Sequence, residues 1–439
     1  MQKWLFTPVD NAGLVAFRMI FGLLITLEAG GAILTGWVKR VMIEPDFRFN
    51  FIGFDFLNVF EGPVMYVYFA LMAVFGIMVM LGYYYRLAMS AFTLMWWTCY
   101  LMQKSAYNNH YYLLVLLCLL MCVVPAHAAY SLDARRKGAR HWCYRWHIVL
   151  FIAQVTIVYT FAAVAKLNSD WLQGVPIKQW FEHKSHFWLI GPLLAQDWMP
   201  YVVAYSAILF DATVAPLMMI RRTRKIAFFA GIVFHLFNSA VFHIGIFPFM
   251  SIAFALFFFP AADVRQLFFR KQPIPEIPAA DSVTPSRGAQ QSVMIIMGLY
   301  LAIQVALPLR HWAIKGDVLW TEEGHRMSWR MMLRSATGNV YFQVVDKETG
   351  TKRYAYPQKY LTPKQNRSIH TKPDKIWQFA QRLKKQELEK GREVEIYAIS
   401  KKSVNYGPSK TFIDPETDLA QASWNYFGHN EWVLLHEED

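Results

Sequence analysis

The chain has 439 residues, of which 55% are hydrophobic and only 17% charged, whereas a soluble globular chain carries nearer ~25% charged residues. Mean hydropathy is +0.22, and several apolar runs reach the roughly 20 residues that cross a bilayer, so the composition is that of a polytopic membrane protein. The formal net charge of +13 does not imply a nucleic-acid partner, because Arg and Lys gather in short loops between apolar runs, as cytoplasmic loops do.

Residues 1–11 form a short amphipathic lead, with Trp4 and Phe6 suited to an interface. A first span is expected over 12–34. It holds Arg18 and Glu28 and lacks a small-residue cleavage site, so it reads as a retained span and not a signal peptide. After a polar, aromatic-rich loop at 36–62, further spans are expected over 63–82, 87–104, 111–129, 146–166 and 199–220. The apolar run 226–259 is long enough for two short spans turning near His243–Pro248. A Pro-rich linker at 272–288 leads to a last span at 291–311. The count is about nine transmembrane helices in a mainly α chain, with residues 1–311 as the transmembrane domain.

Residues 312–439 are hydrophilic and read as a small extramembrane α+β domain. Asn339–Val345 and Lys352–Tyr356 flank Asp346-Lys347-Glu348-Thr349-Gly350, a hairpin signal. Lys372–Lys390 has helical spacing, with Pro373 near its start and Gly391 just past its end. Glu393–Ile399 alternates like a strand. The domain is expected to dock on the membrane part through the Trp-rich segment Leu319–Met332. The four cysteines, Cys99, Cys118, Cys122 and Cys143, form neither a disulfide framework nor a zinc pair.

Loops 131–145 and 221–225 are densest in Arg and Lys, which places them in the cytoplasm. With nine spans the N-terminus is inside and residues 312–439 are outside. The expected setting is a bacterial inner membrane, or the endoplasmic reticulum if the source is eukaryotic. The same count brings Asn108–His110, Lys166, the 167–198 loop and the turn at His243 to the outer face, beside the extramembrane domain.

Within that face, Tyr159–Trp171 closes an apolar run. On a helix Tyr159, Ala162, Ala163 and Lys166 share one face. A low-dielectric setting penalises an ammonium, so a lysine there can serve as a neutral amine, a base or a nucleophile. The alternative is a lysine snorkelling to the interface. Asn108-Asn109-His110 offers a proton relay or hydrogen-bond donor, or else an interfacial turn. His235-x-x-Asn238 and His243 have the spacing of metal ligands, but no further ligands stand near, so no metal is expected. Asp211 is an intramembrane carboxylate, of the kind usually paired and functional, or lies near a helix end. GxSxG, P-loop and HExxH motifs are absent from the sequence.

Five stretches in order carry a resemblance: N-N-H at 108–110, Y-x-x-A-x-V-x-K-L-x-x-D-W at 159–171, F-H-x-x-N-S-x-x-F-x-I-G-x-F-P at 234–248, S-W-x-M-M at 328–332 and I-D-P-x-x-D-L-A-Q-A-S-W at 413–424. Together they resemble the vitamin K-dependent γ-glutamyl carboxylase family, including its shorter prokaryotic relatives. The resemblance implies a two-part reaction. Reduced vitamin K, a phylloquinol or menaquinol, gives a proton to Lys166, reacts with oxygen to become a strong base, and ends as an epoxide. That base removes a γ-proton from a protein glutamate, whose carbanion attacks carbon dioxide. His110 would assist Lys166, and Asn109, Tyr159, His235 and Asn238 would bind the quinol. Trp320, His325, Trp329, Arg330 and Arg334 would bind the glutamyl peptide. The quinol would arrive from the membrane lipid. Arg334-Ser335-Ala336 replaces the eukaryotic His-Ser-Arg, and neither the long eukaryotic C-terminal extension nor its tethering cysteine pair has a counterpart. Two other readings stand beside carboxylation. One is a hydroquinone oxygenase or epoxidase that does not carboxylate. The other is a non-enzymatic quinone- or lipid-binding scaffold, which would tolerate loss of Lys166.

Overall fold

A backbone in hydrocarbon must satisfy its own hydrogen bonds, so apolar runs fold there as helices. The computed structural model describes residues 2–182, 191–242, 245–270 and 274–436. The membrane part runs α1 (Ala12–Leu34), α2 (Val64–Leu81), α3 (Tyr85–Met102), α4 (Asn109–Val123), α5 (Arg145–Ala165), α6 (Met199–Met219), α7 (Arg224–Phe242), α8 (Phe247–Ala253) and α9 (Arg287–Leu309). Among the described residues, six helices are long and apolar enough to cross a membrane: α1, α2, α5, α6, α7 and α9. Nine spans are thus not matched one for one. Helix α4 has 15 residues, about 22 Å at 1.5 Å per residue, short of a ~30 Å hydrocarbon core. Helix α8 is shorter still, and α3 carries Arg86, Ser90, Thr93 and Thr98. Of the turn expected near His243–Pro248, Gly245 and Ile246 form a turn ahead of α8, and His243 itself lies outside the described residues.

Helices α1 and α2 pack with their backbones in contact. A Cβ on Gly22 would strike the Met80 backbone, and one on Gly76 would strike Thr26, so small residues set the spacing. A short antiparallel pair, β1 (Pro8–Asp10) and β2 (Trp142–Tyr144), ties the chain start to the basic loop. Arg265 adds a bidentate pair to Asp10, with Nη2 2.8 Å from Oδ1.

The C-terminal part holds a four-stranded antiparallel sheet, ordered β4–β3–β5–β6, of β3 (Ala336–Asp346), β4 (Lys352–Ala355), β5 (Val394–Val404) and β6 (Lys410–Thr411). The expected hairpin forms: Asp346 Oδ1 accepts from Glu348 N and Thr349 N at 3.0 Å each, and Gly350 supplies a positive φ of 66°. Helices α10 (Pro363–Ile369) and α11 (Pro373–Leu388) follow β4. Ile376, Phe379, Ala380 and Leu383 of α11 bury against Phe342, Val344, Ile396 and Ala398 of the sheet. Alternate residues of β5 are buried, as one covered sheet face requires.

The two parts meet along a polar seam. Asp374, at the start of α11, pairs with both Lys104, between α3 and α4, and Arg326, whose Nη1 lies 2.8 Å from Asp374 Oδ2. Lys104 Nζ also donates to Gln378 Oε1 at 2.7 Å, and Gln378 Nε2 donates to Asn50 O at 3.0 Å. Burial alone would raise the Asp374 carboxyl, but Arg326 and Lys104 more than reverse this and hold it well below the usual carboxylate range. Phe49, from the loop after α1, is fully buried in the core of the C-terminal part. The Leu319–Met332 segment also bridges the parts, since Met327 N donates to Tyr107 Oη at 2.6 Å.

Candidate active site

Helix α5 stops at Lys166, its C-cap, and Asn168 starts a new turn by accepting a hydrogen bond from Trp171 N at 3.0 Å. This break leaves Lys166 at the end of an apolar helix, with 7% of its surface exposed. Its Nζ donates to Ala162 O at 3.2 Å and to Asp211 Oδ2 at 2.6 Å. Asp211 lies mid-way along α6 and is itself buried. The indole of Trp171 lies 5.5 Å from Nζ. The snorkelling alternative, with the ammonium in water, does not fit this burial and this partner.

Two turns earlier on α5, Tyr159 Oη meets His235 Nε2 of α7 at 2.8 Å. His235 is buried, and its Nδ1 has no hydrogen-bond partner among the described residues. His110 sits in the first turn of α4, which Asn108 caps by accepting from Tyr111 N at 2.7 Å. Its ring stacks on Phe247 at 4.0 Å, and Phe247 in turn meets the His235 ring edge at 6.1 Å.

These groups line one cavity of about 640 Å³, together with Asn238 and with Met331 and Met332 of the S-W-x-M-M stretch. Its walls are otherwise largely apolar and aromatic, in the size range of small-molecule pockets. Val202, Leu209 and Val233 line the cavity and are also exposed on the outside of α6 and α7. The cavity therefore borders the lipid-facing surface between those two helices. Apolar walls suit a prenylated ring, and the buried, unpartnered His235 Nδ1 and the His110 ring suit its oxygens. Asn109 is not among the lining residues. Its amide accepts from Tyr107 Oη at 2.9 Å and donates to Arg330 O at 3.2 Å, so it holds the segment that closes the cavity. Asp211 is the member of this group least visible in sequence. An intramembrane carboxylate is noticeable in α6, but nothing in the sequence says that α6 lies beside α5.

Residues 6–262 match the family model of the HTTM domain, and residues 289–439 match that of the vitamin K-dependent gamma-carboxylase, lumenal domain. The chain belongs to the vitamin K-dependent gamma-carboxylase family. No solved structure matches it.

The residues expected from the sequence to meet a glutamyl peptide do not share one site. Trp320 is buried in the core of the C-terminal part, where Nε1 donates to Leu434 O at 2.8 Å and Lys402 lies over its ring. Trp329, in the segment expected to dock the outer domain, packs on Tyr112 of α4 with ring centroids 5.0 Å apart and joins the membrane core. Arg330 donates to His311 Nε2 at 3.2 Å and borders a second, more polar cavity of about 420 Å³ with Asn168, Asp317 and Ser328. Arg334 pairs with Glu322 and donates to His325 Nε2 at 3.2 Å. Glu322 also pairs with Lys372, and Lys402 lies 3.8 Å away. Burial, and then the cations Lys372 and Arg330, push the His325 imidazole well below its ordinary value. Its ring is thus neutral and accepts from Arg334.

Proposed function

We propose that this family member is a vitamin K hydroquinone-dependent γ-glutamyl carboxylase. Residues 1–311 hold the quinol and residues 312–439 present the glutamyl substrate. The observation that carries the reading is Lys166 Nζ at 2.6 Å from Asp211 Oδ2 in the wall of a cavity shared with His110, Tyr159 and His235. At this distance and away from water the amine and the carboxyl act as a pair, in which Lys166 would receive a proton from a bound quinol O–H and Asp211 would hold and orient the amine. His110 and the Tyr159–His235 pair donate or accept hydrogen bonds at the ring oxygens. A lipid-soluble quinol reaches them between α6 and α7. When bound, reduced vitamin K supplies, with oxygen, the base strong enough to take a γ-proton from glutamate, which then adds carbon dioxide.

Arg330, facing the second cavity, and the His325–Arg334 pair offer cationic and hydrogen-bonding groups to the glutamyl carboxylate. Arg334 is already paired with Glu322, and this favours a second reading in which the quinol is epoxidised without carboxylation. Labelled bicarbonate with reduced vitamin K, oxygen and a glutamyl peptide distinguishes them: label in the peptide supports the first, epoxide without label the second. The base is tested by epoxide yield from Lys166→Ala and Lys166→Arg proteins. Arginine keeps the charge but does not give up its proton, so both variants are expected to lose epoxide formation. Near-normal yield from Lys166→Arg would remove Lys166 as the base.

A further inference from the structure

A third cavity, of about 540 Å³, lies on the side of the basic loop at 131–145, and the reaction above does not use it. Its inner wall is Arg18 of α1, only 1% exposed. Gly82, the left-handed C-cap of α2, makes room for this guanidinium, since a Cβ there would lie 2.7 Å from Arg18 Nη1. Arg18 Nη1 donates to Ala126 O and Ala129 O at 3.3 and 3.4 Å, and Nη2 donates to Tyr130 O at 2.7 Å. Its partners among the described residues are carbonyls, no carboxylate pairs with it, and Nε is buried with none. Buried charges are ordinarily paired; the nearby buried carboxylate of Asp133 is taken up by Tyr84 N and Tyr85 N, so Arg18 makes no direct ion pair among the described residues. At the rim stands Arg135, exposed and with no side-chain partner among the described residues. Below the rim the lining turns apolar with Met19, Met80 and Leu81. Met19 and Leu81 are also exposed on the lipid-facing flank of their helices, as are Leu23 and Ile77 one turn deeper on α1 and α2.

We propose that this cavity binds the phosphate headgroup of an anionic phospholipid, with its acyl chains lying along the outer groove between α1 and α2. Arg18 supplies the buried charge and Arg135 the rim charge. A basic pocket at the level of the headgroups, opening onto a lipid-facing apolar groove, suits a lipid phosphate better than a free one.

The test titrates purified full-length protein, in micelles of a neutral detergent, with phosphatidylglycerol, phosphatidylcholine or inorganic phosphate, and follows the melting temperature. A saturable rise with phosphatidylglycerol alone is expected. Arg135→Gln should weaken half-saturation about fivefold, as loss of one interfacial cation predicts. Ala139→Glu, which adds a carboxylate at the cavity wall, should abolish the response while Ala139→Gln keeps it. Equal shifts with phosphatidylcholine would overturn the anionic site. Saturation by inorganic phosphate at the same concentration would overturn the lipid as its source. An unchanged response in both Arg135→Gln and Ala139→Glu would overturn the location.

Discussion

At the scale of single residues, the proposed chemistry rests on Lys166 and Asp211, two buried side chains paired with each other. Removing one partner of a buried pair leaves an uncompensated charge, a loss of about 3–5 kcal/mol. Asp211→Asn is therefore expected to lower epoxide formation by about 10²-fold, the usual size of a lost proton-transfer partner. Asp211→Glu should retain part of it. Wild-type yield from Asp211→Asn would mean that Lys166 works alone. Lys166 and His110 drew notice in the sequence as polar groups where apolar runs end, while quinol-binding roles for Tyr159 and His235 came only with the family resemblance. The Asp211 partner and the stacking of His110 on Phe247 were not legible there, since both depend on which helices become neighbours. The contact of Trp329 with Tyr112 was legible only as far as the docking segment Leu319–Met332, which the sequence placed against the membrane part without naming the partner helix.

At the scale of elements, the hairpin and the helix Pro373–Leu388 follow the sequence closely, because Asp-x-x-x-Gly turns and Pro/Gly-bounded helices carry their own local instructions. The spans followed it in part: among the described residues six of the nine expected are long and apolar enough to cross a membrane, and α3, α4 and α8 are not. The seam between the parts was unforeseen, because Lys104 and Asp374 are unremarkable charges until they are buried together. Asp374→Asn should loosen the docking of α11, read as new protease cleavage in the 103–108 loop with helical content unchanged. Wild-type resistance to cleavage would make the seam incidental. The pH dependence follows from the lowered Asp374 value. A carboxyl depressed on folding stabilises at pH above its ordinary value of about 3.9. That contribution is lost as pH falls from there toward the folded value, so docking should hold through neutral pH and fail only in strong acid.

At the scale of the whole molecule, the cavity, the second polar cavity and the C-terminal part share one end of the helices, and the basic loops share the other. This agrees with charge counting, under which the C-terminal part lies outside the cytoplasm. Gly350→Cys, at an exposed hairpin tip, should react with a membrane-impermeant thiol reagent in intact cells. Labelling only after lysis would reverse the orientation and place quinol chemistry and glutamyl substrate on the cytoplasmic side.

The seam also dictates an order of events as the chain is made. Lys104 leaves the ribosome long before Asp374, and it cannot be dehydrated without its counter-charge. The loop that carries it must stay wet until the C-terminal part has been translated and has folded. The catalytic end of the helix bundle is thus closed last, and only by a completed chain. A nascent protein halted after residue 311 should leave Ser105→Cys open to aqueous reagents, whereas the finished protein should protect it. Quality control could then read that one hydrated loop as the mark of an unfinished molecule.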